Sequence, residues 1–131
     1  MRILIVDDHE AVRAGVRAIL QSRQGLEVCG EAANGREAVA KAQKLLPDLV
    51  ILDITMPVLD GFSAAREIHK LLPNVAILLL SMHESPNLMN IAKSSGASGY
   101  VSKSEGAAML LRAVDSVAHS KPFFPDRIHV N

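Results

Sequence analysis

Short aliphatic runs alternate along the chain with segments whose apolar residues recur at helical spacing. The aliphatic runs lie at 2–6, 26–32, 49–53, 76–81 and 98–102. Nearly continuous apolar runs of this length are typical of strands buried on both faces of a parallel sheet. Apolar residues three and four positions apart predict helices between them, at 10–23, 35–46, 62–72, 85–95 and 105–119. The pattern therefore predicts five strand–helix pairs.

Turn-forming residues mark the ends of these elements. Asn34-Gly35 opens the second helix, Pro47 closes it, and Asp60-Gly61 precedes the third helix. The residues expected to face the core from the fifth helix are Ala108, Leu111, Val114 and Val117. Strict alternation of strands and helices predicts an α/β fold, a doubly wound five-stranded parallel sheet with right-handed crossovers.

Composition narrows the class of protein. A chain of 131 residues with 49% hydrophobic residues suits one domain with a single core. Fourteen basic residues balance fourteen acidic ones, so overall charge does not attract the chain to nucleic acid or anionic lipid. The lone Cys29 is expected to be a buried core thiol. The apolar runs are far shorter than the roughly 20 residues of a membrane span, so we expect a cytoplasmic protein without membrane contact.

The end of the chain has a different character. The stretch "SKPFFPDRIHVN" carries two prolines around two phenylalanines that look exposed. We interpret residues 1–120 as one domain and residues 121–131 as an extended tail or linker rather than a sixth element of the fold.

Polar side chains stand where the predicted strands end. The first strand ends in Asp7-Asp8, the third in Asp53, the fourth in Ser81 and the fifth in Ser102-Lys103. Ligands of open α/β sheets bind outside the carboxyl ends of the strands. Three carboxylates, a hydroxyl and an ammonium group are therefore expected to converge at one edge of the sheet.

Such a set of groups suits a phosphoryl group beside a metal ion. Three close carboxylates repel one another unless a cation joins them, and hard oxygen ligands favour Mg²⁺. Lys103 and Ser81 would then contact phosphoryl oxygens, and an aspartate oxygen can itself be the nucleophile. Taken singly, Asp7 and Asp8 also fit the start of a helix, Asp53 a turn, and Lys103 a solvated surface charge. Their shared position at strand ends favours the phosphate and magnesium site.

Other kinds of site receive less support. The five histidines have no metal-ligand spacing, and no second cysteine is present. Neither a Gly-x-Gly-x-x-Gly turn after the first strand nor a Walker-type loop occurs, which argues against dinucleotide and ATP binding. His9 and Glu10 are interpreted as the exposed first turn of a helix.

Four motifs in order resemble the receiver domain of bacterial response regulators. They are "ILIVDDHEAVRAG", "DLVILDITMPVLDG", "LLLSMHE" and "GASGYVSK", and the resemblance runs from Arg2 to about His119. It implies a CheY-like, flavodoxin-like (βα)5 fold. The motif variants look most like the NarL/FixJ group, whose members usually carry a LuxR-type helix-turn-helix domain after the receiver.

The resemblance implies a role for each residue at the strand ends. Asp53 matches the phosphoacceptor, which is also a metal ligand. Asp8 matches a direct Mg²⁺ ligand and Asp7 one acting largely through water, with Mn²⁺ as a substitute ion. Thr55 would lend its backbone carbonyl to the metal.

The remaining matches concern the phosphate and the switch. Lys103 matches the phosphate-binding lysine and Ser81 the switch hydroxyl. Tyr100 matches the aromatic residue whose rotation follows that hydroxyl, although a half-buried strand aromatic is the alternative. His83 would tune the route of the attacking water together with Thr55.

The implied function is a phosphoacceptor switch rather than an enzyme. A sensor histidine kinase would donate the phosphoryl group, and the output would be a phosphorylation-dependent homodimer or transcription through a DNA-binding domain absent from this chain. Two alternatives are a stand-alone single-domain regulator and a phosphatase of the haloacid-dehalogenase type. The phosphatase requires a second acid two residues after its nucleophile, where this chain has Thr55.

Overall fold

The computed structural model describes residues 1–82 and 85–124. Its strands are β1 (Arg2–Val6), β2 (Glu27–Ala32), β3 (Leu49–Asp53), β4 (Ala76–Ser81) and β5 (Gly99–Ser102). Its helices are α1 (Glu10–Gln21), α2 (Gly35–Leu45), α3 (Gly61–Leu71), α4 (Pro86–Ser94) and α5 (Gly106–Ala118), with a short 3-10 turn at Lys103–Glu105 before α5. The alternation predicted from the sequence is confirmed, with ends that differ by one or two residues.

The five strands form one parallel sheet in the order β2-β1-β3-β4-β5. Helices α2, α3 and α4 pack on one face, and α1 and α5 pack on the other. The central strand β3 is buried along its whole length, because helices cover both of its faces. The order in which strands are added to the sheet reverses between β1 and β3. At this topological switch point the carboxyl ends of the two strands lie side by side.

Side-chain caps fix where three of the helices begin. The side chains of Asn34, Asp60 and Ser85 each accept a hydrogen bond from a backbone N–H of the first turn of α2, α3 and α4. Pro86 occupies the first turn of α4, where the missing N–H has no cost. The turn residues that mark helix starts in the sequence are thus the groups that satisfy the free N–H groups.

Two expectations about packing are wrong. The buried residues of α5 are Leu110, Ala113, Val114 and Val117, whereas Ala108 is exposed. The expected residues are spaced by three, which falls short of the about 3.6 residues of one helical turn, so that stripe drifts around α5 instead of staying on one face. Cys29 is only partly buried, since it lies on the edge strand β2 where the pairing with β1 is irregular.

The phenylalanines of the tail are also placed differently from the expectation. Phe123 forms a parallel bridge with Gly99 of β5. Phe123 and Phe124 are half-buried and pack against the cores on opposite faces of the sheet. Within the residues that the structure describes, no helix is long and apolar enough to cross a membrane.

Candidate functional site

Lys103 joins two buried carboxylates at the carboxyl edge of the sheet. Its Nζ lies 2.9 Å from Asp7 Oδ2 and 3.1 Å from Asp53 Oδ1. Asp7 follows β1, Asp53 ends β3, and Lys103 follows β5, so three strands converge on one ammonium group. The Lys103 side chain is 16% exposed, which excludes the interpretation of a solvated surface charge.

The backbone around Asp7 holds its carboxylate in place. Asp7 Oδ1 accepts a hydrogen bond of 2.9 Å from the N–H of His9, and the Asp7 N–H donates to the carbonyl of Ala32 on β2. Arg13 Nη1 donates to the Asp7 carbonyl over 2.7 Å. The residue at the N-cap of α1 is His9, so Asp7 does not cap that helix. A helix-start role therefore does not explain this buried acid.

His9 connects the two members of the acidic pair. Its Nδ1 lies 3.2 Å from Asp7 Oδ1 and 3.1 Å from Asp8 Oδ1. Potential ligand atoms of Asp7, Asp8 and His9 lie within 4.8 Å of one another. Asp7 is buried whereas Asp8 and His9 are exposed, so the group is open to solvent on one side. No sequence pattern indicated this contact of His9, because only the folded chain shows where its ring points.

Burial governs the electrostatics of Asp53. Loss of hydration raises the pKa of the Asp53 carboxyl, and the nearby Asp7 carboxylate adds to this, while Lys103 and the N–H of Thr55 oppose it without cancelling it. A carboxylate with a raised pKa carries its negative charge at a cost. The site therefore favours a partner that neutralises or consumes this charge.

For Lys103, unlike Asp53, the surroundings favour the charged form of the side chain. Burial alone would lower the pKa of Lys103, but the hydrogen bonds and negative charges of Asp7 and Asp53 outweigh it and raise the pKa. The lysine is thus a fixed cation at neutral pH. One ammonium group does not balance three carboxylates, so the site keeps a surplus of negative charge.

Ser81 and Tyr100 lie deeper in the same region. Ser81 is buried at the end of β4, opposite Ser102 in the pairing with β5. Tyr100 is fully buried in the core beneath α4, which excludes the half-buried strand aromatic considered from the sequence. Thr55 is exposed in the loop after β3, and its N–H bonds to the Asp53 carboxylate. His83, expected as a tuning residue, lies outside the described residues.

Two glycines, Gly35 and Gly61, allow helices α2 and α3 to pack closely against the loop after Asp53. From the sequence, both were interpreted only as turn residues. A Cβ on Gly61 would lie 2.2 Å from the Asp53 carbonyl oxygen, and a Cβ on Gly35 would lie 2.0 Å from the carbonyl oxygen of Leu59. Such contacts are impossible without backbone movement. Helices α2 and α3 can therefore approach the loop only because these positions lack a side chain.

Comparison with known proteins decides the family. Residues 3–115 match the family model of the response regulator receiver domain. The chain belongs to this family. It is the receiver domain of a two-component response regulator, a phosphoacceptor switch rather than an enzyme, as the sequence motifs indicated. Family membership implies a histidine kinase as partner.

Individual relatives agree with this assignment. The chain is 40% identical over 117 residues to the transcriptional regulatory protein LnrK of Bacillus subtilis, a match that covers 89% of this chain and 53% of LnrK. The crystal structure of a LuxR-family two-component response regulator from Aurantimonas sp. has a TM-score of 0.90 and 36% identity, covering 93% of this chain and 87% of that one. The predicted CheY-like receiver fold is thereby confirmed.

A third comparison concerns a receiver with a phosphate mimic. The isolated receiver domain of RcsB from Salmonella enterica, solved in the presence of the phosphomimetic BeF3⁻, has a TM-score of 0.88 and 26% identity, covering 96% of this chain and 94% of that one. The chain spans only 53% to 60% of the length of the curated relatives GacA, LnrK, UvrY and DegU.

Proposed function

We propose that Asp53 is the residue of this receiver domain that accepts the phosphoryl group. The observation that carries the proposal is the position of Lys103 Nζ, within 3.1 Å of Asp53 Oδ1 and 2.9 Å of Asp7 Oδ2. An Asp53 oxygen would attack the phosphorus of a phosphohistidine on the kinase. The new P–O bond would form as the P–N bond breaks, and the electron pair of that bond would return to the histidine nitrogen.

The chain's own groups would stabilise the transferred group by position and charge. Lys103 already lies beside Asp53 and would neutralise one phosphoryl oxygen, while the Ser81 hydroxyl would donate to another. Tyr100 would follow the movement of Ser81 and so alter the surface of α4, β5 and α5. We keep His83 as a tuning residue of the hydrolysis step.

The acidic residues fit a hard divalent cation. The oxygen-rich group of Asp7, Asp8 and Asp53 carries more negative charge than Lys103 neutralises, which is the chemistry that Mg²⁺ or Mn²⁺ requires. Asp8, Asp53 and the carbonyl of Thr55 would hold the ion, with Asp7 acting through water. When bound, the cation would supply positive charge to the phosphoryl oxygens.

We further propose that residues 1–120 form the receiver and that residues 121–131 lead toward an output domain. Relatives named as LuxR-family and transcriptional regulators support control of transcription, with DNA contacted only by that further domain. A phosphorylation-dependent homodimer and a cytoplasmic location belong to the same proposal, in which a sensor histidine kinase is the phosphodonor.

Phosphorylation with a small donor tests the assignment of Asp53. Incubation with acetyl phosphate and Mg²⁺ is expected to add one base-labile phosphoryl group, detected by intact mass spectrometry. Asp53→Asn should abolish the addition. Asp60→Asn is the matched control, because Asp60 is a nearby exposed aspartate that only caps α3, a role that asparagine fills equally well. Persistent modification of Asp53→Asn would refute the assignment.

A further inference from the structure

The chain folds back on the sheet after α5. Ser120 adopts a left-handed conformation with φ of 61°, and residues 121–124, here called the strap, then run beside β5. The N–H of Phe123 donates to the carbonyl of Ser98 over 2.9 Å, and the N–H of Tyr100 donates to the carbonyl of Phe123 over 2.8 Å. The strap therefore occupies the outer edge of β5, whose only other partner in the described sheet is β4.

Side chains anchor the strap at both of its ends. The Ser116 hydroxyl of α5 donates to the Lys121 carbonyl over 3.0 Å, and the Lys121 N–H donates to the Ser116 carbonyl over 2.9 Å. The phenylalanines straddle the sheet, with Phe124 also beneath Lys93 Nζ at 5.4 Å from the ring centre. Two rings packed on opposite faces resist displacement in either direction.

The sheet edge is shaped to receive the strap. A Cβ on Gly99 would lie 2.9 Å from the Phe123 carbonyl oxygen and equally close to Leu78. Only a residue without a side chain allows the backbone of Phe123 to approach β5 this closely. The close contact, the two hydrogen bonds and the two rings together make a specific intramolecular docking of strand on strand.

We propose that the strap is a latch that couples the chain after α5 to the phosphoacceptor site at Asp53. Strand β5 carries Tyr100 and leads directly into Lys103, which contacts Asp53. Pairing with the strap holds the first half of this short edge strand, so release of the strap loosens the support of Lys103. The inference rests on the proposed function, in which Lys103 binds the phosphoryl group on Asp53.

Thermodynamic linkage makes the coupling reciprocal. If a seated strap strengthens the binding of a phosphoryl mimic at Asp53, then that mimic at Asp53 holds the strap in place by the same factor. Phosphorylation would thus favour the docked position of the strap on β5 and restrain the chain where it leaves the receiver. One continuous segment connects the strap to Asp53: β5, which pairs with the strap, and the lysine that follows it, which contacts Asp53.

Beryllium trifluoride with Mg²⁺ is the probe for this coupling. Two variants release the strap differently: Phe123→Ala with Phe124→Ala removes both rings, and Ser116→Ala removes one hydroxyl outside the core. Both should bind the probe more weakly in a calorimetric titration, by about fivefold for the double variant, the lower end of typical coupling between sites. Leu45→Ala, a half-buried truncation on α2 away from β5, is the control for lost stability and should bind normally.

Amide hydrogen exchange measures the reciprocal effect. The probe should slow exchange of the Tyr100 N–H, which bonds to the strap, by the same factor after correction for amides of β1 and β3. Equal affinity of the folded strap variants and the unaltered chain for the probe would overturn the inference alone, as would unchanged Tyr100 exchange. Absence of probe binding to the unaltered chain would overturn the proposed function and the inference with it.

Discussion

Two ion clusters on neighbouring strands of this receiver have opposite balances of charge. The acid-rich cluster comprises the carboxylates of Asp7, Asp8 and Asp53 and, among the residues that the structure describes, one lysine, Lys103. The arginine-rich cluster comprises Glu31 on β2 with Arg13 and Arg17 of α1. Arg13 Nε lies 3.0 Å and Arg17 Nε 2.8 Å from the Glu31 carboxylate.

The pKa directions follow these balances. Burial would raise the pKa of Glu31, but the hydrogen bonds and charges of Arg17 and Arg13 hold it below its usual range. In the acid-rich cluster, burial and Asp7 raise the pKa of Asp53 despite Lys103. A cluster that satisfies its acid stabilises the fold, whereas a cluster with surplus acid is available for a ligand. The direction of the acid's pKa shift thus distinguishes a structural ion pair from one suited to ligand binding within this molecule.

Removal of the lysine charge from the acid-rich cluster should have the largest effect. Lys103→Met leaves the buried carboxylates of Asp7 and Asp53 without their partner and should cost about 3 kcal/mol of unfolding free energy at pH 7. The loss should shrink as falling pH protonates Asp53. Urea denaturation at several pH values measures it. Lys70→Met, at an exposed lysine on α3, should change stability by less than about 0.5 kcal/mol, and equal losses for both variants would contradict the prediction.

Mg²⁺ should stabilise the protein through the acid-rich cluster only. At a concentration tenfold above its dissociation constant, a ligand of the native state adds about 1.4 kcal/mol to the unfolding free energy. Glu31→Gln should keep this gain, and Asp8→Asn should lose most of it. Thermal unfolding with and without the ion compares the variants. An undiminished gain in Asp8→Asn would show that the ion binds elsewhere.

Neutralisation of the acid in the arginine-rich cluster should destabilise more modestly. Glu31→Gln should cost about 1 kcal/mol at neutral pH, since the carboxylate is partly exposed. Because the native pKa of Glu31 is lowered, its contribution is complete above the ordinary value of 4.5 and disappears as pH falls through the native pKa. Denaturation series at pH 7 and pH 3 test this. Glu27→Gln, at an exposed position of β2, is the control and should show no comparable loss.

The smallest effect should have the opposite sign. The raised pKa of Asp53 means that the ionised carboxyl costs native stability, a cost absent below the ordinary value of 3.8 and complete above the native pKa. Asp53→Asn should therefore raise the unfolding free energy slightly at pH 7, and the gain should vanish in acid. A stability loss at pH 7 would show that the pairing with Lys103 outweighs the desolvation of the carboxyl.

Local patterns were sufficient to predict much of the fold and part of the site. The aliphatic run before Asp7 and the one ending at Asp53 are typical of buried strands, because both faces of each are apolar. Parallel strands that alternate with helices have their carboxyl ends at one edge. The convergence of Asp7, Asp53 and Lys103 therefore followed from topology, without knowledge of any contact.

Contacts between distant segments could not be predicted in this way. Nothing local to His9 shows that its ring reaches both acids, and the apolar spacing in α5 did not show which face of that helix packs on the sheet. The exposed appearance of Phe123 and Phe124 came from flanking prolines, which describe only the local backbone. Their burial depends on the free edge of β5, a feature created by the sheet.

By itself, the sequence determined which residues are strands, which are helices, and which polar groups stand at strand ends, because periodicity and turn chemistry act over a few residues. Only the tertiary structure decided how charge is shared. In the folded chain Lys103 pairs with Asp7 and Asp53, and two arginines pair with Glu31. Burial and distance set those electrostatic outcomes, and both arise only when remote segments pack together.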